Sequence, residues 1–491
     1  MRKILLGTTA VVAVGFASAA ITPAEAQTAP TVRIGGSIAA YWGYAQQRGR
    51  DITTPPTAIT GLPTNAIGQA LNLERPTAPF VPPGNTTQGS SAAYMSPHDF
   101  VVLPAINFNI DGKLANGLAY GGAILLNMNS MEGRNIVQRR ASAPRTTVSI
   151  DEAWVYVRHP SFGEVRFGDE DGPMGGLMNS GWITGFGTGG VFGAWEQVAT
   201  RAAQNRTMTA PAGLGDNSKI VYLSPQFFGF DFGLSFSPNL GEGGSTGCPN
   251  DVASGWCDSA WAFRGASAAG ITAAGGFLGA RRNEYQVALR YRGNFEGVGI
   301  AATVGYIGSG AARDILNGGA TIKTMRGLSV FQVGAQASYA GFTVGANYST
   351  GAFNWFWGNT RVGDRDAQQF SAGITYTAGP ITIGGNMVTG LFEGGSRMSV
   401  VNGATGATAP LPFGAAGSAM QRRWGWGIGG NYRLAPGLDL IAEYAYHSIR
   451  EPFVTPAVGS TTNAAGVVQL GGVPGQRASS SVFLLGTRLA F

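Results

Sequence analysis

The chain predicts an all-β fold: a transmembrane antiparallel β-barrel of about 16 strands with one long loop folded inward. Three observations predict it. Charged residues make up 12% of the chain and glycine 77 of its 491 residues, roughly half and roughly double the shares usual in soluble domains. Beyond residue 26, no apolar run reaches the ~18 residues that a membrane helix needs. Many stretches instead alternate apolar and polar residues, the mark of a strand with two different faces. In a membrane barrel, lipid-facing residues alternate with lumen-facing ones, so apolar content need not collect into runs.

In chain order, residues 1–26 read as a secretory signal. Arg2 and Lys3 form a basic start, Ile4 to Ala20 an apolar run, and Ala24-Glu25-Ala26 a cleavage site. The mature domain, 27–491, should begin at Gln27. Net charge is +6 for the whole chain, too mild to suggest a nucleic-acid partner. Lysine occurs only at positions 3, 113, 219 and 323, and every other base is arginine. That bias fits either a permanently charged lining or GC-rich codon usage.

The first strand, 31–44, places Val32, Ile34, Ile38, Ala40, Trp42 and Tyr44 on one face and Arg33, Ser37 and Tyr41 on the other. A long loop, 45–97, follows. The second strand, 98–110, contains Pro104, which cannot donate to a ladder. Strands at 118–127, 151–157 and 162–168 lead to Asp169-Glu170-Asp171 and then to a glycine-rich excursion. Regular structure resumes at SKIVYLSP, 218–225. Nearly 50 irregular residues between two strands are unusual in a compact domain and are usually functional or disordered. They read as a loop inside the barrel.

The alternation then becomes clean. Phe230, Phe232, Leu234 and Phe236 interleave with Asp231, Gly233 and Ser235. Hairpins follow at 285–306, 330–348, 370–387 and 424–446, and the chain ends with SVFLLGTRLAF. Turns are short on one side and loops long on the other, as expected of outer-membrane barrels. Aromatics such as Tyr285, Tyr306, Tyr339, Tyr376, Trp424 and Tyr446 fall near strand ends, where amphipathic rings favour the membrane boundary. The opposite face carries small or polar residues, including Gln286, Arg290, Arg292, Thr303, Gln336, Asn347, Asn386 and Arg488. At this strand number a barrel encloses an aqueous channel.

Cys248 and Cys257 are nine residues apart, with no histidine nearby, and are expected to form a disulfide within a loop of an exported chain. GFGTGG, 185–190, satisfies G-x-G-x-x-G but has no strand–helix–strand unit around it, so it reads as close loop packing rather than nucleotide binding. His98, His159 and His447 form no metalloprotease motif, and no G-x-S-x-G is present. The chain is therefore read as a non-enzyme without cofactor. A Ser/His/acid site brought together by folding stays as the alternative. Asp169–Asp171 could face the lumen, form an ordinary solvated turn, or offer carboxylates to Ca²⁺.

The blocks DEAWVYVRHPSFGEVRFGDEDGP (151–173) and SKIVYLSPQFFGFDFGLSFSP (218–238), with the terminal SVFLLGTRLAF, resemble the general diffusion porins of Gram-negative bacteria, above all their alphaproteobacterial branch. The terminal Phe491 resembles the signal read by the barrel-assembly machinery. The resemblance implies an outer-membrane homotrimer that passes small hydrophilic solutes and ions, with the third long loop narrowing each pore. It further implies acidic loop residues, here Asp169, Glu170, Asp171 and Glu196, facing wall arginines, of which Arg166 is the first candidate. Strand parity turns Arg33, Arg290, Arg292 and Arg488 to the lumen as well. The loop lacks the enterobacterial Pro-Glu-Phe-Gly-Gly pattern. Long loops at 45–97, 239–283, 391–421 and 449–477 leave two other readings open: a substrate-selective porin, or a structural or adhesin barrel.

Overall fold

The computed structural model describes residues 30–50, 97–127, 149–198, 217–239, 281–311, 314–315, 321–322, 325–353, 360–361, 364–393, 399–401, 408–410, 420–450 and 477–491. Residues 1–26, Cys248, Cys257 and most of the long loops lie outside them.

Sixteen strands form one closed antiparallel barrel in sequence order. The first half is β1 Thr31–Arg50, β2 His98–Lys113, β3 Ala119–Asn127, β4 Ser149–His159, β5 Gly163–Glu170, β6 Asn217–Leu223, β7 Phe230–Asn239 and β8 Arg281–Phe295. The second is β9 Val298–Ala311, β10 Ser329–Tyr339, β11 Phe342–Ala352, β12 Ala367–Ala378, β13 Ile381–Glu393, β14 Met420–Ala435, β15 Leu438–Arg450 and β16 Arg477–Ala490. Among the described residues no helix is long and apolar enough to cross a membrane.

Each element follows from the alternation. Along β7, Phe230, Phe232, Leu234 and Phe236 stand exposed on the outer face, while Asp231, Ser235 and Ser237 are buried within. Cross-strand aromatic pairs cover the outer face towards the strand ends, as in Tyr285–Tyr306, with ring centroids 5.9 Å apart, and Trp424–Tyr446, at 5.1 Å. Pro104 is accommodated because β2 outruns its neighbour. The ladder to β3 stops at Ala105 opposite Asn127, so one edge of the strand needs no donor beyond that point.

Most strands run further than the sequence alternation indicates, chiefly at the long-loop end. β1 continues to Arg50 instead of stopping at Tyr44, and β15 to Arg450 instead of Tyr446. In these extensions, AQQRGR and HSIR, the positions in line with the outward-facing residues are polar in sequence (Gln46, Arg48 and Arg50; Ser448 and Arg450), so the ladder persists after the hydropathy signal fades. The expected loop 391–421 also contains a small hairpin, Ser399–Val401 paired with Thr408–Pro410.

The barrel closes where the two ends of the chain meet. β1 pairs with β16 from Ser37–Ala490 to Arg50–Arg477. One residue further, the Gly36 amide donates to the Phe491 carbonyl at 2.9 Å and the Phe491 amide donates back at 3.0 Å. The terminal residue thus completes the last rungs of the ladder, which abolishes the sheet edge.

Candidate functional site

After β5 the chain turns into the barrel and follows its inner wall from Asp171 to Val198. Irregular backbone in the lumen must find partners for its amides and carbonyls. The wall supplies them from one strand after another. Gln286 on β8 accepts from the amides of Met174, at 2.9 Å, and Gly175, at 3.1 Å. Arg290 donates to the Leu177 carbonyl at 3.1 Å. Thr303 on β9 donates to Met178, Gln336 on β10 accepts from Gly181, and Asn347 on β11 donates to Ser180. Asn386 on β13 holds three points: its amide nitrogen reaches the Ile183 and Gly189 carbonyls at 2.8 and 2.9 Å, and its oxygen accepts from Val191 at 2.9 Å.

The glycine-rich segment 185–190 meets a carboxylate. Glu443 on β15, buried, accepts from the amides of Thr188, at 2.7 Å, and Gly190, at 2.8 Å, and from the Thr188 hydroxyl at 2.6 Å. Asn431 on β14 accepts from Gly187 at 2.6 Å. Gly187, Gly189 and Gly190 have φ of 55°, 122° and 61°, a conformation open to glycine that turns successive amides to one side. The motif does cradle an anion, and the anion is a side chain of the barrel's own wall.

Close approach requires a thin wall as well. A Cβ on Gly334 would lie 2.0 Å from the Ser180 carbonyl oxygen, and one on Gly427 would lie 2.6 Å from the Val191 nitrogen. The loop ends in a helical turn, Trp195–Val198. Trp195 is fully buried, stacks on His447 with centroids 3.5 Å apart, and packs with Val101, Val482 and Leu484 of β2 and β16.

What stays open is a polar cavity of about 510 Å³ between the loop and the wall it leaves bare. Thr184 to Thr188 form its loop side. Ser37 and Tyr41 of β1, Leu103 of β2, Asn431 of β14 and Arg488 of β16 lie among its other linings.

The sequence-predicted residues fall in four places. Asp169, Glu170 and Asp171 gather at the root of the loop rather than at this cavity. Arg166 binds Glu170 at 2.9 Å and Glu164 at 2.5 Å and lies 4.3 Å from the centre of the Trp154 ring. Lys219 donates to the Glu170 carbonyl. Asp169 is buried opposite Ala153 and Ser218. The Asp171 carboxyl lies against Gly175 and Gly176. Burial first, then the nearby Glu152 and Asp151 carboxylates, push it up to about 6 against the pull of Lys219. Arg290 and Arg292 meet on Asp231, at 2.8 and 2.7 Å. Arg33 pairs with Asp111, which also accepts from the Tyr156 hydroxyl at 2.6 Å. Arg488 lines the cavity, and the Glu196 side chain lies outside the described residues. No group of three His, Cys, Asp or Glu side chains among the described residues is placed to hold a metal ion.

Sequence reasoning missed Glu443 and Asn431. The signal was available: on the inward face of β15, Glu443 stands between Ile441 and Ala445, with Asp439 as the other acid of that face.

Comparison with known proteins follows the same lines. No curated protein sequence matches the chain. Among solved structures, the in-vitro folded outer-membrane protein OmpT of Vibrio cholerae is 10% identical, with a TM-score of 0.46 over 96% of this chain and 100% of that one. A porin refined at 1.8 Å resolution is 12% identical, with a TM-score of 0.43 over 94% and 100%. A mutant of the Rh. blastica porin is 11% identical, with a TM-score of 0.44 over the same shares. The sequence profile of the Gram-negative porins matches residues 7–451. With a closed sixteen-stranded wall and an inserted loop already described, that match across most of the chain means that this protein belongs to the Gram-negative porin family, the channel-forming β-barrels of the outer membrane.

Proposed function

We propose that the protein is a general porin, passing small hydrophilic solutes and ions down their gradients without catalysis or energy coupling. The observation that carries this reading is the polar cavity beside residues 184–188. The loop is fastened to the wall and leaves a cavity of about 510 Å³ beside it. Beside apolar Leu103, Pro104 and Phe186, the lining offers the hydroxyls of Ser37, Tyr41, Thr184 and Thr188, the amide of Asn431 and the guanidinium of Arg488, groups that exchange hydrogen bonds with water and with passing solutes at little cost. The family resemblance supports a homotrimer, while the leader pattern at 1–26 supports cleavage on export and the spacing of Cys248 and Cys257 in an exported chain supports a bridge within their loop.

Swelling of proteoliposomes in a ladder of sugars tests the reading. Rates that fall smoothly with solute size are the expected result. Preference for one chemical class would favour a substrate-selective porin. No swelling with any solute would favour a structural barrel.

A further inference from the structure

The lumenal ion pairs are lopsided: the water faces the arginine and the wall hides the acid. Arg33 is 68% exposed against 39% for its partner Asp111. Arg158 is 55% exposed against 11% for Glu164, and Arg292 is 49% exposed against 6% for Asp231. The same order holds for Arg433 over Asp439 and for Arg166 over Glu170. Strand parity turns all of these arginines inward. The described pair with the opposite order, Arg326–Asp366, lies at the long-loop end between β9 and β12.

Glu164 and Asp231 are each shared by two bases, Glu164 by Arg158 and Arg166. Asp231 binds both Arg290 and Arg292. Asp439 has Arg433 as its cross-strand neighbour on β14, 3.8 Å away, and Arg488 as its cross-strand neighbour on β16. Glu443, beneath the loop segment that lines the cavity, is buried and spent on loop amides. Among the described residues, Arg488 is the one charged side chain lining the cavity.

The buried acid of each pair lies further from a passing ion than the arginine above it, so it offsets the arginine's pull only in part. A guanidinium at the water surface acts directly, within a screening distance of ~8 Å at physiological salt. Arginine also stays charged across the whole physiological range. We propose that the channel prefers small anions, halides and small carboxylates, and that Arg488 is the residue setting this preference at the narrow cavity. The inference rests on the porin reading and adds the sign and the residue.

The experiment is reversal potential in a planar bilayer under a KCl gradient, with the full-length mature protein. The wild type is expected to favour chloride. Arg488→Glu should lower the chloride-to-potassium permeability ratio by about threefold, with Arg488→Gln between the two, and the difference should shrink at high salt. Conductance with a potassium preference in the wild type would overturn the inference and leave the porin standing. An unchanged ratio in both variants would overturn the role of Arg488. Absence of any conductance would count against the porin reading itself. Should Arg488→Glu not assemble, Arg488→Gln keeps the side chain polar and uncharged and carries the same comparison.

Discussion

Beneath the loop, the wall from β8 to β15 meets the chain mostly with uncharged groups: Gln286, Thr303, Gln336, Asn347, Asn386 and Asn431, with bare glycines between them. The wall from β1 to β5, which the loop meets at β1 and β2 through the turn Trp195–Val198, is held by arginine and carboxylate pairs instead. The two sides answer to different solvents. A backbone seated on a wall excludes water, so each of its polar groups needs one neutral partner, and a buried charge there would cost more than it returns. A face left to water can keep its charges solvated. Two charges are exceptions on the covered side: Arg290, neutralised by Asp231 where it meets the Leu177 carbonyl, and Glu443, whose carboxylate is compensated by three donors from the loop.

The sharpest way to break this arrangement is to remove the second exception. Glu443→Ala strands two amides and a hydroxyl, and hydrogen bonds to a charged group contribute about 1.5–3 kcal/mol each. The segment 184–190 should lift from the wall, and single-channel conductance should change in size and become noisy. Glu443→Gln keeps acceptor capacity and should retain most of the wild-type trace. A steady, wild-type conductance in the alanine variant would mean that Asn386 and Asn431 hold the loop unaided. On the other side, Arg166→Ala leaves Glu164 and Glu170 facing each other across an empty site, with both acids mostly buried. Removing one partner of a buried pair costs about 3–5 kcal/mol, which denaturant unfolding in detergent micelles would register. By contrast, Arg33→Ala breaks a well-exposed pair and should cost under about 1 kcal/mol.

The outer face of the barrel was legible in the sequence because lipid contact imposes a period of two, as in Phe230, Phe232, Leu234 and Phe236. All sixteen strands could be found that way. Their upper ends could not, because AQQRGR and HSIR have no apolar outer face to keep. The inserted loop was legible from its length alone. Its anchoring was not, since Thr188 and Glu443 are 255 residues apart. The acidic run Asp169–Asp171 drew attention as a charged cluster, yet the structure sets it at the loop root, and the segment facing the cavity, Thr184 to Thr188, contains no acid. The polar residues on the inner face were correctly turned inward by parity. That most of them bind the loop, rather than the passing water, needed the coordinates.

The smallest expected effect concerns pH and sharpens the same contrast at the point where the two walls meet. Asp171 begins the loop and faces Glu152 and Asp151 from β4, Lys219 from β6 and Glu170 from β5. Its ionisation is pushed from an ordinary value of 3.8 up to about 6. The folded chain therefore holds a proton, between those two values, that the unfolded chain releases. By linkage, this group's contribution to stability grows as pH falls from above 6 towards 3.8, and is lost as pH rises through 6. The same protonation removes a negative charge from the lumenal side of the loop root. Chloride preference should therefore rise modestly as the pH falls from 7 to 5, with its midpoint near 6, and the step should vanish in Asp171→Asn. A step that survives in that variant would belong to another group, and the loop root would then contribute no titrating charge to the water path.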